Sequence, residues 1–557
     1  MREGGDFSER PATGAVRVTR RRALAQGVGF AAASLGLGGC GWLPVSEQSA
    51  LARLHLPTST PTMRTSPWNE PLPGPYRAPA PGELPARILR SSQRLVATYY
   101  FYWYDVSSGL HTQGACGALS LHPPTMTGFS TLSPAWHAQQ MSDMHQAGID
   151  IALPVYWGDD GSLVWSQGGL KAMVQALLAM EAAHLPHPQV GMFLDTTSLA
   201  AENGGQPVDI TRAPGQAMFL GYVQSFYSLV PPVLRALIDG HPVVWLYSAG
   251  YIAKYDEASM RWFADEFAAR FGARPYIVRE ASWCFPSDNV YAWGAAASGP
   301  SFLGVLEVGP GFDNLALTCE KHLVVHRDGG AFYRDSWQQA LGHAGLRPQN
   351  NLAAVETWNE LHEGTGVCDT AEYGRQYIEL TRHYADLFHR GAGPDLRHDP
   401  YRNAASVSYT FAQTADARGL TLVRQPDGPV APRQIQGRWA GVAQPNAYNA
   451  GYMYFAVDPA FAGAGGAFTA EVTYLDAGTG AFGLQYDSTL DTPPLCGAYV
   501  TANPQGVSLG NSGLWSTARF TLPFARFAGR ENGGSALRLA IPAPGFAVHQ
   551  VVLQRGG

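Results

Sequence analysis

Lysine is almost missing from this chain: Lys171, Lys254 and Lys321 are the only three in 557 residues. With arginine the basic total is 38 against 44 acids, a formal net charge of −6. No Lys/Arg stripe follows the first residues, so the electrostatic footprint of a nucleic-acid binder is lacking. Charged residues are 15% of the chain and hydrophobic ones 46%, a balance that excludes general disorder. Cysteine is sparse. Apart from Cys40 there are Cys116, Cys284, Cys319, Cys368 and Cys496, so at least one thiol stays free within the chain. Their spacings match no zinc pattern, and connectivity cannot be read from them. No Gly-rich phosphate loop follows the first strand-like run, which argues against a dinucleotide-binding open sheet.

The N-terminus carries an address. Thr19-Arg20-Arg21-Arg22-Ala23-Leu24 precedes Ala25 to Gly39, a run without charge that is too short to span a bilayer. The arginines resemble a twin-arginine export signal, and Leu37-Gly38-Gly39-Cys40 resembles the bacterial lipobox whose cysteine is lipidated. The expectation is a signal peptide over 1–40, export, and membrane contact through a lipid on Cys40 only. An ordinary secretory signal is the plainer alternative. Pro71, Pro73, Pro75, Pro79, Pro81 and Pro85 make 41–90 a stiff spacer.

From residue 91 to 393, apolar strand-like runs alternate with helical patterns. Strands are expected at Leu95–Trp103, Ile149–Tyr156, Val190–Leu194, Val243–Tyr247, Tyr276–Val278, Val290–Trp293, Leu303–Val308 and Leu352–Thr357. Helices are expected at Trp136–Ala147, Leu170–Ala183, Ala217–Leu229, Ala258–Phe271, Ser336–Ala344 and Ala371–Phe388. Eight near-continuous apolar strands separated by helices predict an α/β fold, a (β/α)8 TIM barrel.

In such a barrel, chemistry sits where strands end. Those ends carry Tyr102, Trp103, Tyr104 and Asp105; Tyr156, Trp157, Asp159 and Asp160; Asp195; Tyr247; Glu280; Glu307; Asp313; and Trp358 to Glu363. Aromatics interleaved with carboxylates suit an oligo- or polysaccharide, rings stacking on C–H faces while acids and amides bind hydroxyls. An acid such as Asp195 can equally cap the helix after it. The densest stretch is Glu356-Thr357-Trp358-Asn359-Glu360-Leu361-His362-Glu363-Gly364-Thr365. Buried carboxylates are costly unless paired or used, and two glutamates three residues apart supply acid and base for an acetal. Glu360 and Glu363 are therefore the catalytic candidates. Tyr102, Trp103, Tyr156, Trp157, Asp195, Glu280, Asp313, Trp358, Asn359 and His362 are the candidate substrate contacts. His362 is expected to orient a neighbour; no spacing demands a metal or a cofactor, and none is expected.

Asn359-Glu360-Leu361-His362-Glu363-Gly364-Thr365 resembles the Asn-Glu-Trp-His-Glu-Gly-Thr signature of glycoside hydrolase family 99, the endo-α-mannosidases and endomannanases. Tyr99 to Tyr104 looks like that family's aromatic first strand, and Ala147-Gly148-Ile149-Asp150 leading to Tyr156-Trp157-Gly158 like its second. Gly309-Pro310-Gly311-Phe312-Asp313 is similar to a loop in wider relatives, including an uncharacterised exported bacterial family with a β-rich tail. The resemblance spans Val96 to about Phe388. It implies that Glu360 assists attack by the sugar's own 2-hydroxyl and that Glu363 protonates the leaving oxygen, with anomeric configuration retained. Leu361 stands where the family has Trp, and Glu356 adds an acid with no assigned role.

After Gly391-Ala392-Gly393-Pro394, short alternating runs from Val407–Phe411 to Phe546–Leu553 predict a β-sandwich over 400–557, jelly-roll-like. It is either a carbohydrate-binding module or a stabiliser. Arg526 to Gly534 is its most polar loop, structural or in contact with a sugar or calcium. The whole reads as an exported monomeric glycoside hydrolase. A non-catalytic glycan-binding lipoprotein and a metal-assisted hydrolase of another bond are the alternatives.

Overall fold

The computed structural model describes residues 79–556 apart from 159–163, 347–349, 395–398, 426, 447–450, 464, 491–495, 505 and 543. The signal segment, Cys40, most of the proline-rich spacer, Asp159 and Asp160 lie outside the described residues. No helix of the described residues is long and apolar enough to cross a membrane.

Eight parallel strands make one sheet that nearly closes on itself. They are β1 (Leu95–Tyr100), β2 (Ile151–Tyr156), β3 (Met192–Leu194), β4 (His241–Leu246), β5 (Tyr276–Glu280), β6 (Asn289–Tyr291), β7 (Val305–Val308) and β8 (Leu352–Val355). Ladders run in the order β6-β5-β4-β3-β2-β1-β8-β7, with Leu95 to Thr98 opposite Leu352 to Val355. At the seam between β6 and β7 the chain packs closely instead of pairing. A Cβ on Gly304, beside β7, would stand 1.8 Å from Asn289 Oδ1. Six helices cover the outside: α1 (Pro134–Gln146), α2 (Val164–Ala182), α3 (Ala213–Leu229), α4 (Glu257–Phe271), α5 (Ala331–Leu346) and α6 (Gln376–His389). Each strand read from the sequence has its counterpart. β6 is followed only by the short helix Ala295–Ser298. The sixth predicted helix starts later than expected, because Ala371 donates its N–H to the His122 carbonyl and Thr370 turns onto Gly374.

Helices outside and side chains inside bury both faces, so all six residues of β1 are buried. Alternation sends neighbours to opposite faces. The Tyr100 hydroxyl reaches His137 of α1 at 2.7 Å. The Tyr99 ring points inward, meeting Phe193 of β3 at 5.1 Å, Trp245 of β4 at 6.1 Å and Trp293 at 4.8 Å. Rings from strands that are not neighbours can meet only across the interior, so the barrel is a packed core. The folded body also starts before residue 91: Leu89 is fully buried and donates its N–H to Leu237 O.

Beyond α6 lie two antiparallel sheets. The first contains β9 (Ser406–Thr410), β11 (Val430–Ile435), β12 (Arg438–Ala443), β14 (Gly466–Leu475), β16 (Trp515–Ala525) and β18 (Ala547–Arg555); the second contains β10 (Leu420–Val423), β13 (Tyr452–Val457), β15 (Ala481–Tyr486) and β17 (Leu537–Ala540). In β14, Phe468, Ala470, Val472 and Tyr474 are buried while their neighbours are not. In β16, Ala518, Phe520 and Leu522 do the same. These side chains and Met453, Phe455, Leu484 and Leu539 of the second sheet form one apolar cluster. The β11–β12 hairpin was not read from the sequence; Pro432 and the exposed Arg433 and Gln434 interrupt its apolar pattern.

Two disulfides form, Cys116–Cys319 and Cys284–Cys496, leaving Cys368 free and buried. The second ties the loop after β5 to the tail.

Candidate active site

β8 ends at Val355, and the signature folds into a compact loop whose backbone bonds largely to itself. Thr357 N–H donates to Thr365 O, Thr365 N–H to Glu360 O, and Val367 N–H to Trp358 O. The Thr357 hydroxyl accepts the Glu360 N–H at 2.8 Å. Gly364 makes the return at φ 62°, a conformation that favours glycine; a Cβ there would also meet Asp313 O at 2.9 Å. Arg327 clamps the far side, one guanidinium nitrogen donating to Gly364 O at 2.7 Å and Gly366 O at 2.6 Å. Its plane lies 4.2 Å from the Tyr377 ring centre.

His362 is fully buried. Its Nε2 lies 2.8 Å from the carbonyl oxygen of His111, and its Nδ1 lies 2.8 Å from Glu360 Oε1. A carbonyl oxygen only accepts, so Nε2 carries a hydrogen. The contact between Nδ1 and Glu360 then holds one further proton, on the carboxyl beside a neutral ring or on the ring beside a carboxylate. Either way Glu360 and His362 share a proton across one bond. His362 N–H also donates to Oε1 at 3.2 Å, and the Tyr104 hydroxyl stands 3.4 Å from it. Glu363 is the more open acid, 8% exposed against 3% for Glu360, and its carbonyl accepts the Asp313 N–H at 2.7 Å.

The structure brings several expected residues together around this pair. Trp103 stacks on His111 at 4.9 Å and stands 5.9 Å from His362. Trp165 links it to Trp157 at 5.8 and 6.1 Å. The Trp157 indole N–H donates to Asp195 Oδ2 at 2.7 Å, while Asp195 Oδ1 accepts from the Thr197 hydroxyl at 2.8 Å. Asp195 thus braces a rim ring and holds Thr197, the first residue of a short helix. Asp313 joins through its backbone, and its Oδ1 accepts the Leu315 N–H at 2.9 Å.

Other expected contacts serve the frame. The Trp358 indole donates to Gln140 of α1 at 2.8 Å. Both amide atoms of Asn359 bond the Phe101 backbone, at 2.8 and 2.7 Å. The Tyr156 hydroxyl pairs with Ser225 of α3 at 2.6 Å. Tyr102 points to α2, where a Cβ on Gly169 would stand 2.4 Å from its ring. All four are fully or almost fully buried. Glu280 lies at the end of β5 beside the tail, its Oε2 accepting the Ser282 N–H at 2.8 Å. His111 and Arg327 were not singled out, because no spacing links residues 111 or 327 to the signature.

Glu356 accepts from Gly294 N–H at 2.8 Å and Ala295 N–H at 2.9 Å, holding β6's end to β8. Glu307, fully buried, accepts from the Tyr99 hydroxyl at 2.7 Å. Burial first, then the charge of Glu356, holds the Glu307 carboxyl well above the usual range. His137 moves the other way, to about 4, because burial disfavours its charge. Among the described residues no group of three or more His, Cys, Asp or Glu is placed to hold a metal.

No curated protein matches the chain. A solved GH99 endo-α-mannosidase from Bacteroides thetaiotaomicron is 14% identical with a TM-score of 0.38, over 55% of this chain and 100% of that one. A structure described as a glycoside hydrolase-like protein is 14% identical with a TM-score of 0.40, over 54% and 96%. The CBM22-1 xylan-binding domain of Paenibacillus barcinonensis Xyn10C is 12% identical with a TM-score of 0.20, over 28% and 98%. The family model that matches covers residues 92–392, the barrel-like sheet and its helices. The chain belongs to the family described as Domain of unknown function (DUF5010).

Proposed function

We propose that this protein is a glycoside hydrolase acting on an oligo- or polysaccharide, with Glu360 and Glu363 at the C-terminal rim of a (β/α)8 barrel. The observation that carries the reading is the 2.8 Å contact between His362 Nδ1 and Glu360 Oε1, with His362 Nε2 held on the His111 carbonyl. A pinned His362 tautomer gives Glu360 a partner that takes up or returns a proton without moving, as a base needs. Glu363, next to it and more open, is the proton donor to the leaving oxygen. Trp103, stacked on His111, and Trp157, bonded to Asp195, are the rings that would meet the sugar. With Glu360 assisting the sugar's 2-hydroxyl, the anomeric configuration is retained. The chain is exported as a monomer and held to the membrane by a lipid on Cys40 alone; the two disulfides fit an oxidising compartment. The two-sheet tail, a jelly-roll-like sandwich over 400–557, contributes to glycan binding.

The test is a panel of plant, fungal and bacterial glycans, read by reducing-end release and by NMR of the first anomer formed. The wild type is expected to cut at least one with retention. Glu363→Gln and Glu360→Gln each lower kcat by about 10²–10⁴-fold, the usual worth of a positioned acid or base. A panel that is bound but never cut replaces this reading with a non-catalytic glycan binder.

A further inference from the structure

The tail loop Arg526 to Gly534 sits on the barrel at the ends of β5 and β6. A Cβ on Gly533 would stand 3.0 Å from Ser298 O, and one on Gly534 2.8 Å from Pro300 O. Backbone therefore lies directly on backbone. Cys284–Cys496 fastens the same place covalently. Arg530 is wholly committed: its Nε donates to Asp487 Oδ1 at 2.6 Å, and its other nitrogens to Cys496 O and Ser488 O at 2.8 Å. Arg538 is occupied as well, donating to Gln485 Oε1 at 2.7 Å and stacked 3.9 Å from the Tyr499 ring.

Between these anchors Glu531 feels the Arg538 and Arg530 charges and the Tyr499 backbone, but no well-formed hydrogen bond reaches its carboxyl. It is 3% exposed, and neither carboxyl oxygen has a hydrogen-bond partner among the described residues. A buried polar group left so asks for an explanation. Glu531 lines a cavity of about 210 Å3 together with Glu280, Trp293, Tyr499 and Asn532. Burial holds Glu531 well above the usual carboxyl range against the opposing pull of Arg538, and raises Glu280 against the Ser282 hydrogen bonds. A neutral carboxyl donates and accepts, which matches hydroxyls rather than a cation. Trp293 lines the same cavity, half-buried and packed on Tyr99 at 4.8 Å. The volume is below the roughly 300–1,000 Å3 of pockets for drug-sized ligands, so it takes one ring.

We propose that this cavity is a sugar-ring subsite built jointly by the barrel rim and the tail, with Glu531 and Glu280 bonding the hydroxyls of a pyranose beside Trp293. It rests on the glycan-active reading above and makes the tail part of the substrate site. The cysteine bridge and the Arg530–Asp487 pair hold it in place before any ligand arrives.

The experiment titrates the full chain with oligosaccharides from the glycan panel, and separately with calcium chloride, by calorimetry and tryptophan fluorescence. Glu531→Leu and Glu280→Ala are each expected to weaken sugar binding at least tenfold, while Glu363→Gln binds as the wild type does without cutting. Should Glu531→Leu not fold, Glu280→Ala on the half-exposed side decides. Wild-type affinity in both variants overturns the subsite, as does a cavity that takes calcium but no sugar. Sugar bound through Glu531 but never cut upholds the subsite and removes the hydrolase reading. Cleavage with unchanged KM in Glu531→Leu does the reverse.

Discussion

The rim loop, 357–367, and the tail loop, 526–534, treat their buried acids in opposite ways. In the first, Glu360 Oε1 faces His362 Nδ1, His362 N–H and the Tyr104 hydroxyl. Beneath the second, Asp487 is saturated by Ala528 N–H at 2.6 Å and by Arg530, while Glu531, the residue after Arg530, has no well-formed hydrogen bond on either carboxyl oxygen. Depth does not separate them, since all three acids are almost fully buried. What differs is whether the protein itself fills the lone pairs. A filled acid either braces the chain or shares a proton with its partner. An unfilled one that also lines a cavity, as Glu531 does, is a place for something from outside.

The comparison breaks most visibly at Asp487. Asp487→Ala leaves Arg530 buried without its counter-charge, and the expected cost is about 3–5 kcal/mol, read by urea denaturation. A cost below about 1 kcal/mol would show that the tail loop is not held as described. Next comes the covalent tie. Replacing Cys284 and Cys496 with Ser removes a bridge across 212 residues and should cost about 2–5 kcal/mol. Proteolysis should then cut near residue 496 while fragments of the barrel persist; protection equal to the wild type would argue that packing alone docks the tail. On the rim, His362→Ala strips Glu360 and the His111 carbonyl of a partner, for about 1–3 kcal/mol. Its hydrolysis should fall with it, and a variant that loses stability yet keeps kcat would sink the shared-proton argument.

The smallest effect is a slope. Glu307 has its folded pKa raised above the ordinary 4.5 by burial and Glu356. Its folded form keeps the proton longer than the unfolded chain does. The stability it lends is complete below about pH 4.5 and declines as pH rises toward the folded pKa. Glu307→Gln removes that decline. The melting temperatures of variant and wild type should therefore diverge between pH 5 and 8 in favour of the variant, and parallel curves would refute the shift.

Much of the barrel was legible because its signal is local. Runs such as Leu95 to Tyr100 are apolar throughout since both faces are covered, and helices between them follow the 3.6 period. The tail's β14 and β16 alternate cleanly for the same kind of reason. The β11–β12 hairpin escaped because exposed polar residues give it no pattern. Around the site, Glu360, His362 and Glu363 could be named from the single stretch Glu356 to Thr365. That Trp358 and Asn359 serve the frame could not, since it depends on Gln140 and Phe101, far away in sequence.

The order of strands and helices, the need for at least one cysteine to stay unpaired and the presence of the signature's acids were determined by the sequence alone, because period and composition act over neighbouring residues. Only the tertiary structure decided that the His111 carbonyl pins His362, that Arg327 closes the rim loop, and that Glu531 of the tail faces the same hollow as Glu280. Those meetings are set by packing between segments that lie from 37 to 251 residues apart, and no spacing along a chain encodes a distance through space.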